Sequence, residues 1–185
     1  MTNALHLTEA ELEAGLPRIL ESPKERGSLE LIVRRPRADE RETLAEARLD
    51  LQTGLAGDNW IDRRSSRTED GTPHPDTQLT LMSARVVALV ARTKDRWPLA
   101  GDQLYVDLDL SAANLPPGTR LQIGAAVVEV TAQPHTGCAK FAARFGHDAL
   151  RFVNGPAWKA LRMRGIYAKV IEAGTIRPGD AVTKL

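Results

Sequence analysis

LPPGTRLQIGAAVVEVTAQPHTGCAKFAARFG, residues 115–146, holds both the clearest strand signal in the chain and its only cysteine. TRLQI and AAVVEV alternate apolar and polar positions on either side of Gly124, which predicts two antiparallel strands joined by a tight turn. The segment then runs through the turn-forming PHTG into CAKFAARF, which is compatible with a helix beginning at Cys138. A strand hairpin delivering a cysteine to a helix start is the pattern the rest of the chain has to accommodate.

Upstream, QLYVDLDL places Leu104, Val106, Leu108 and Leu110 on one face and Gln103, Tyr105, Asp107 and Asp109 on the other, as in a strand. QLTLM is a further alternating strand, and Ser83 is a suitable N-cap for a helix ARVVALVART with a broad apolar face. SLELIV puts Leu29, Leu31 and Val33 on one face and Glu30 and Ile32 on the other, in a strand stopped by Arg35 and Pro36. Thr8 and Glu11 form a capping box for a short helix from Glu9 to about Gly15. ERETLAEARLDL predicts a short helix near residues 41–48 leading to a strand, and DRRSSRTEDGTPHPD, residues 62–76, an exposed mobile loop. Downstream, a helix is expected from Pro156 to Arg164 with Gly165 as its cap, followed by two short strands in GIYAKVIEAGTIRPGDAVTKL. Many short strands between Gly and Pro turns with a few helices give a fold class that is mainly β with helices, α+β, in a barrel. Residues 1–27 are expected to form a helical extension packed on a domain of residues 28–185.

With 185 residues, the chain can bury roughly two thirds of its unfolded surface without disulfide or metal staples. It is 42% hydrophobic and 26% charged with a net charge of +1, the composition of a soluble globular protein with no implied nucleic-acid partner. No apolar run approaches the roughly 20 residues of a membrane span, so no membrane association is expected. A single cysteine excludes an internal disulfide and suits a reducing, cytoplasmic compartment. Nineteen arginines against six lysines reflect surface solvation more simply than a shared anion site.

By residue type alone, Cys138 is a small buried hydrophobe. Its neighbourhood argues otherwise: a turn, a helix start, and Lys140 and Arg144 nearby would stabilise a thiolate able to bind soft metals or attack sulfur. His135 is either a base or ligand beside it or a histidine in a local hydrogen bond. One cysteine and four scattered histidines give no zinc-ligand spacing, and no hydrolase signature surrounds Cys138. In GLAGDNW, residues 54–60, Gly57 and Asp58 could set backbone amides and a carboxylate beside a ligand, or form a plain turn. Trp60, Trp97 and Trp158 are read as core or rim packing.

Taken in order, GLAGDNW, AGDQLYVDLDLSAANLPPGTRLQIGAAVVEVT and QPHTGCAKFAARFG resemble the MOSC domain family, named for the C-terminal domain of molybdenum cofactor sulfurase, over roughly residues 28–182. The chain departs from many members in having DGTPHPD after the glycine-aspartate turn and GDQLYVD before the LPPG stretch. The resemblance implies a closed barrel of the type shared with the pyruvate-kinase β-barrel domain, one functional cysteine at Cys138, and association with the molybdenum–pterin cofactor, molybdopterin. By the same resemblance, Gly57, Asp58, His135, Thr136, Lys140 and Arg144 are candidates to contact the cofactor, with Gly146 closing the motif.

Three functions follow as expectations. In the first, the protein binds the cofactor or carries sulfur as a Cys138 persulfide, with a cysteine desulfurase or a molybdoenzyme as partner. In the second, it reduces N-oxygenated compounds with Cys138 as molybdenum ligand. In the third, it is a non-catalytic binding module. The chain has no room for a desulfurase domain beside the barrel, so pyridoxal phosphate would belong to a partner.

Overall fold

The computed structural model describes residues 6–65 and 68–185. Strand β1, Arg26–Arg34, is nine residues long and pairs with three neighbours in succession. Its first residues pair with β11, Ala181–Lys184, its middle with β6, Leu104–Asp107, and its end with the short β2, Glu42–Leu44. From β11 the sheet continues through β7, Arg120–Ile123, β8, Ala126–Val130, β9, Ile166–Glu172, and β5, Leu79–Ser83, back to β6. The seven strands β1, β11, β7, β8, β9, β5 and β6 thus close a ring, antiparallel throughout except for β5 beside β6. A small sheet of β10, Gly174–Ile176, β3, Ala47–Asp50, and β4, Gly54–Leu55, completes the β structure among the described residues.

The barrel encloses one apolar core, with Leu29, Ile32, Leu81, Leu104, Val128 and Val182 among its residues. A second core lies outside it, where Leu31, Val33, Met82 and Tyr105 meet the helices. These are α1, Glu9–Ala14, α2, Leu16–Leu20, α3, Ala84–Ala91, α4, Ala139–Phe145, and α5, His147–Asn154. The expected single face of Leu29, Leu31 and Val33 does not survive. A bulge between Leu29 and Leu31 shifts the period, so Leu29 and Ile32 point into the barrel while Leu31 and Val33 meet the helices. A strand covered on both sides needs apolar residues on both faces, and SLELIV supplies them.

The capping box of α1 forms as expected, with the Thr8 and Glu11 side chains each meeting the other's backbone N–H. Ser83 caps α3 and β7 and β8 make the hairpin around Gly124. Three expectations are corrected. Residues 41–48 form no helix; strands β2 and β3 occupy that stretch, because β1 and β10 offer them sheet edges that outweigh helix propensity. The helix expected over 156–164 is a 3₁₀ turn, Pro156–Leu161, and a full helix, α5, precedes it. Three strands rather than two follow Gly165. Of the loop 62–76, Ser66 and Arg67 lie outside the described residues; its other polar residues are mostly exposed, and Pro75–Thr77 form a 3₁₀ turn. Among the described residues, no helix is long and apolar enough to cross a membrane.

Leu104 sits fully buried in the barrel, paired with Ile32 on one side and Leu81 on the other. Leu104→Ala should therefore lower unfolding free energy by about 2–5 kcal/mol, measured by chemical denaturation.

Candidate functional site

At the end of the barrel where β1 leaves and β5 and β6 begin, loops enclose a cleft of about 700 Å³. Its walls come from the segment after β1, the turn 59–65, Gly101, the segment 135–138 and the exposed face of α4. Among the described residues, six arginines reach it: Arg35, Arg41, Arg63, Arg64, Arg144 and Arg164, together with Lys140. Cys138, His135 and Thr136 line the same cleft.

Two buried ion pairs form the foundation. Arg35 donates through Nε to Asp58 Oδ2 at 2.9 Å and through Nη2 to Oδ1 at 2.8 Å, while its backbone N–H donates to Oδ2 at 2.9 Å. Asp58 also caps the 3₁₀ turn Asn59–Asp62 by accepting from the Trp60 N–H at 3.0 Å. Arg164 donates to Asp102 Oδ2 at 2.6 Å and to the Ala100 carbonyl at 3.0 Å, with its guanidinium over the Phe141 ring at 5.2 Å. Both carboxylates are fully shielded from solvent. In such surroundings a lone charge would be very costly, so each pair is held together by the penalty for breaking it.

This placement changes the reading of GLAGDNW. Gly57 takes a left-handed backbone, φ +76°, and turns Asp58 inward. The Asp58 oxygens are occupied by Arg35 and Trp60, and neither Gly57 nor Asp58 lines the cleft. Asp58 orients Arg35, which does line it.

His135 stacks on Tyr167 with ring centroids 4.5 Å apart, and its side chain is only 8% exposed. Its Nδ1 faces Asp102 Oδ1 at 3.7 Å, too long for a hydrogen bond, and both atoms are buried without a partner. Burial, then the positive charges of Arg164 and Arg35, push the imidazole well below its usual range. Burial raises the Asp102 carboxyl against the opposing pull of Arg164. The cleft floor therefore presents a neutral imidazole backed by a carboxylate and a guanidinium.

Cys138 is exposed and stands at the N-cap of α4, where its carbonyl accepts from the Phe141 and Ala142 N–H groups at 2.9 and 3.1 Å. Asn154 of α5 clamps the preceding residue from both sides, accepting from Gly137 N–H at 2.8 Å and donating to its carbonyl at 3.1 Å. Lys140 donates to Asp39 at 2.9 Å and Arg144 donates to the same carboxylate at 3.2 Å and to the Leu99 carbonyl at 2.8 Å. Asp39 has φ +62°, a left-handed conformation, and Lys140 and then Arg144 hold its carboxyl below the usual range.

Cys138, His135, Thr136, Lys140 and Arg144 thus line one cleft, as their closeness in sequence suggested. Arg35 and Arg41 come from the segment after β1, Arg63 from the turn 59–65 and Arg164 from just before β9, and no local pattern separates them from the other arginines. Trp60 and Trp97 are packed as expected, Trp60 at the cleft wall.

Two outcomes follow. Asp58→Ala leaves the Arg35 guanidinium buried without its partner and should cost about 3 kcal/mol or more in denaturation experiments. For His135 the folded value lies below the unfolded one, so its contribution is complete above about pH 6.5 and is lost as pH falls, because the unfolded chain takes the proton first. Asp102, with a raised value, acts in the opposite sense. His135→Asn should accordingly show a smaller fall in melting temperature than wild type between about pH 6.5 and pH 5.

Comparison with known proteins agrees with this architecture. The family model for the MOSC domain matches residues 69–183. The fold is similar to that of the YUAD protein from Bacillus subtilis, with TM-score 0.59 and 18% identity over 85% of this chain and 94% of that one. It is also similar to YiiM from Escherichia coli, with TM-score 0.54 and 19% identity over 85% of this chain and 69% of that one. YiiM from Geobacillus stearothermophilus superposes with TM-score 0.51 and 17% identity, covering 89% and 74%. No curated protein matches the sequence. With more than half its length matched by the family model and the barrel closed as the resemblance implied, the chain belongs to the MOSC domain family.

Proposed function

We propose that the cleft binds the molybdenum–pterin cofactor, with the Cys138 thiolate as the protein's ligand to the metal. The observation that carries this reading is the placement of an exposed cysteine on the wall of a cleft that also gathers six arginines. Membership of the MOSC family supports a cofactor-related role in general.

The residues present fit such a group. Among the described residues, the buried side-chain polar atoms without a partner are Arg41 Nε, Asp102 Oδ1, His135 Nδ1 and Arg164 Nε, and all four line or directly back this cleft. Buried polar atoms are rarely left unsatisfied, and a cluster of them in one cleft marks a place for a polar ligand. The volume lies within the range of about 300–1,000 Å³ typical of small-molecule sites. Among the described residues no group of three or more His, Cys, Asp or Glu could hold a metal ion. A metal here would take one soft ligand from Cys138 and the rest from an organic chelate. When bound, the cofactor supplies a redox-active metal and an anionic phosphate. The chain's own residues do the remainder: arginines bind the anion, Cys138 presents sulfur, and His135 offers a neutral ring whose orientation packing against Tyr167 restricts.

The exposure of Cys138 favours a second reading, sulfur carriage. As a thiolate it would attack the outer sulfur of a donor persulfide; the new S–S bond forms on Cys138 and the donor leaves as thiolate. A cysteine desulfurase would be the donor, and pyridoxal phosphate would be its cofactor.

Protein purified from a cofactor-competent host should contain pterin and molybdenum, and Cys138→Ser should lose molybdenum more than pterin, measured by elemental analysis and pterin fluorescence. Absence of both from wild type, with a one-sulfur mass gain on Cys138 after treatment with a desulfurase and cysteine, favours the carrier. Absence of all three leaves a binding module.

A further inference from the structure

The cleft is rich in hydrogen-bond donors and short of free acceptors. Its arginines and Lys140 offer only N–H groups. Three of its side-chain acceptors already have donors: Asp39 takes Lys140 and Arg144, Asn59 Oδ1 takes Arg63, and His74 Nδ1 takes the Asp76 N–H. His135 stands apart, and its surroundings decide which ring nitrogen carries the proton.

His135 Nδ1 faces Asp102 Oδ1 across 3.7 Å, and among the described residues neither buried atom has a hydrogen-bond partner. Through its other oxygen Asp102 accepts from Arg164 at 2.6 Å, the contact of an ionised carboxylate with a guanidinium. A carboxylate oxygen only accepts, so an unprotonated Nδ1 would set two lone pairs against each other in a site too dry to screen them. With the proton on Nδ1 the same contact is attractive, although too long for a hydrogen bond. A second proton is opposed by burial and then by Arg164 and Arg35. Nε2 therefore keeps its lone pair. Of the two ring nitrogens only Nδ1 is sealed off without a partner, so the edge that His135 shows to the cleft is the Nε2 edge. Stacking on Tyr167 holds the ring, and Asn154 pins the backbone two residues further on at Gly137.

We propose that Asp102 fixes His135 as the Nδ1–H tautomer, which makes Nε2 a dedicated acceptor in the cleft and selects ligands that bring an N–H or O–H group to it. His135 is then a specificity determinant and Asp102 a positioning residue. The tautomer is independent of what fills the cleft. Only the source of the donor rests on the cofactor reading: it belongs either to the pterin ring or to a small-molecule substrate.

The test is proton–nitrogen NMR of the imidazole rings in the full-length chain, produced in a host that makes no molybdopterin, with H135N identifying the His135 signals. At neutral pH, Nδ1 should resonate as a protonated nitrogen and Nε2 as an unprotonated one, and D102N should weaken that preference. A protonated Nε2 in wild type overturns the proposal, whether or not D102N folds. Acetamide and N,N-dimethylacetamide then serve as probes, since both offer the arginines a carbonyl but only acetamide brings N–H groups. Acetamide should move the Nε2 signal saturably and dimethylacetamide should not; a response to neither, or an equal response to both, overturns the acceptor role. H135N keeps an amide facing Asp102 but has no atom at the Nε2 position, and should weaken acetamide binding about fivefold, read from backbone amide shifts. H135Q, whose amide oxygen reaches the Nε2 position, should stay within about twofold of wild type; equal losses in the two variants also overturn the acceptor role. Production in a cofactor-competent host separates the sources: H135N that loses pterin assigns the donor to the cofactor, and H135N that keeps pterin assigns it to a substrate. Wild type that shows the Nδ1–H tautomer but purifies without pterin sinks the cofactor reading and leaves the acceptor standing.

Discussion

The barrel depends on β1 pairing with β11 at one end and with β6 along its middle. A seven-stranded ring has no free edge only if one strand bridges the first and last members of the series, and this nine-residue strand does so. The bulge between Leu29 and Leu31 lets the same strand feed two cores, and its end delivers Arg35 to the mouth of the barrel. Had β1 kept a strict period of two, Ile32 would have faced the helices and the barrel interior would have lost a fully buried side chain.

The mouth is organised by charge rather than by packing. Asp58 and Asp102 are buried because each satisfies an arginine, and those arginines are held rigid because each satisfies an aspartate. Such pairs add little net stability over apolar replacements, but they fix geometry, since either partner alone would be stranded in a poorly solvating site. The consequence is a cleft whose cationic lining exists before any ligand arrives. Asp39 holds Lys140 and Arg144 at the surface, where solvent screens the interaction, so this contact is weaker and more easily exchanged.

Cys138 is placed by contacts on both sides. Asn154 pins Gly137, and the first turn of α4 binds the Cys138 carbonyl, so the backbone is held while the side chain stays exposed. Packing of Phe141 against Phe145, with ring centroids 4.9 Å apart, seats α4 on the second core. A cysteine on a rigid backbone with a free side chain suits attack or ligation better than a buried filler would.

Local patterns in the sequence determined the hairpin around Gly124, the capping box of Thr8 and Glu11, the Ser83 cap and the start of α4 at Cys138, because hydrogen bonds within a few residues set each of them. They also placed Cys138, His135, Thr136, Lys140 and Arg144 together, since all five fall within ten consecutive residues. Residues 41–48 have a helix-forming composition yet pair as strands, because the sheet edges that capture them exist only once β1 and β10 are in place. Which arginines matter was likewise beyond local pattern. Arg35, Arg41, Arg63 and Arg164 line one cleft only when the barrel closes; there Arg35 and Arg164 hold buried carboxylates, and the buried Nε of Arg41 has no acceptor among the described residues. Short-range hydrogen bonding and periodicity are written along the chain, whereas desolvation and charge complementarity belong to the volume that the closed barrel encloses.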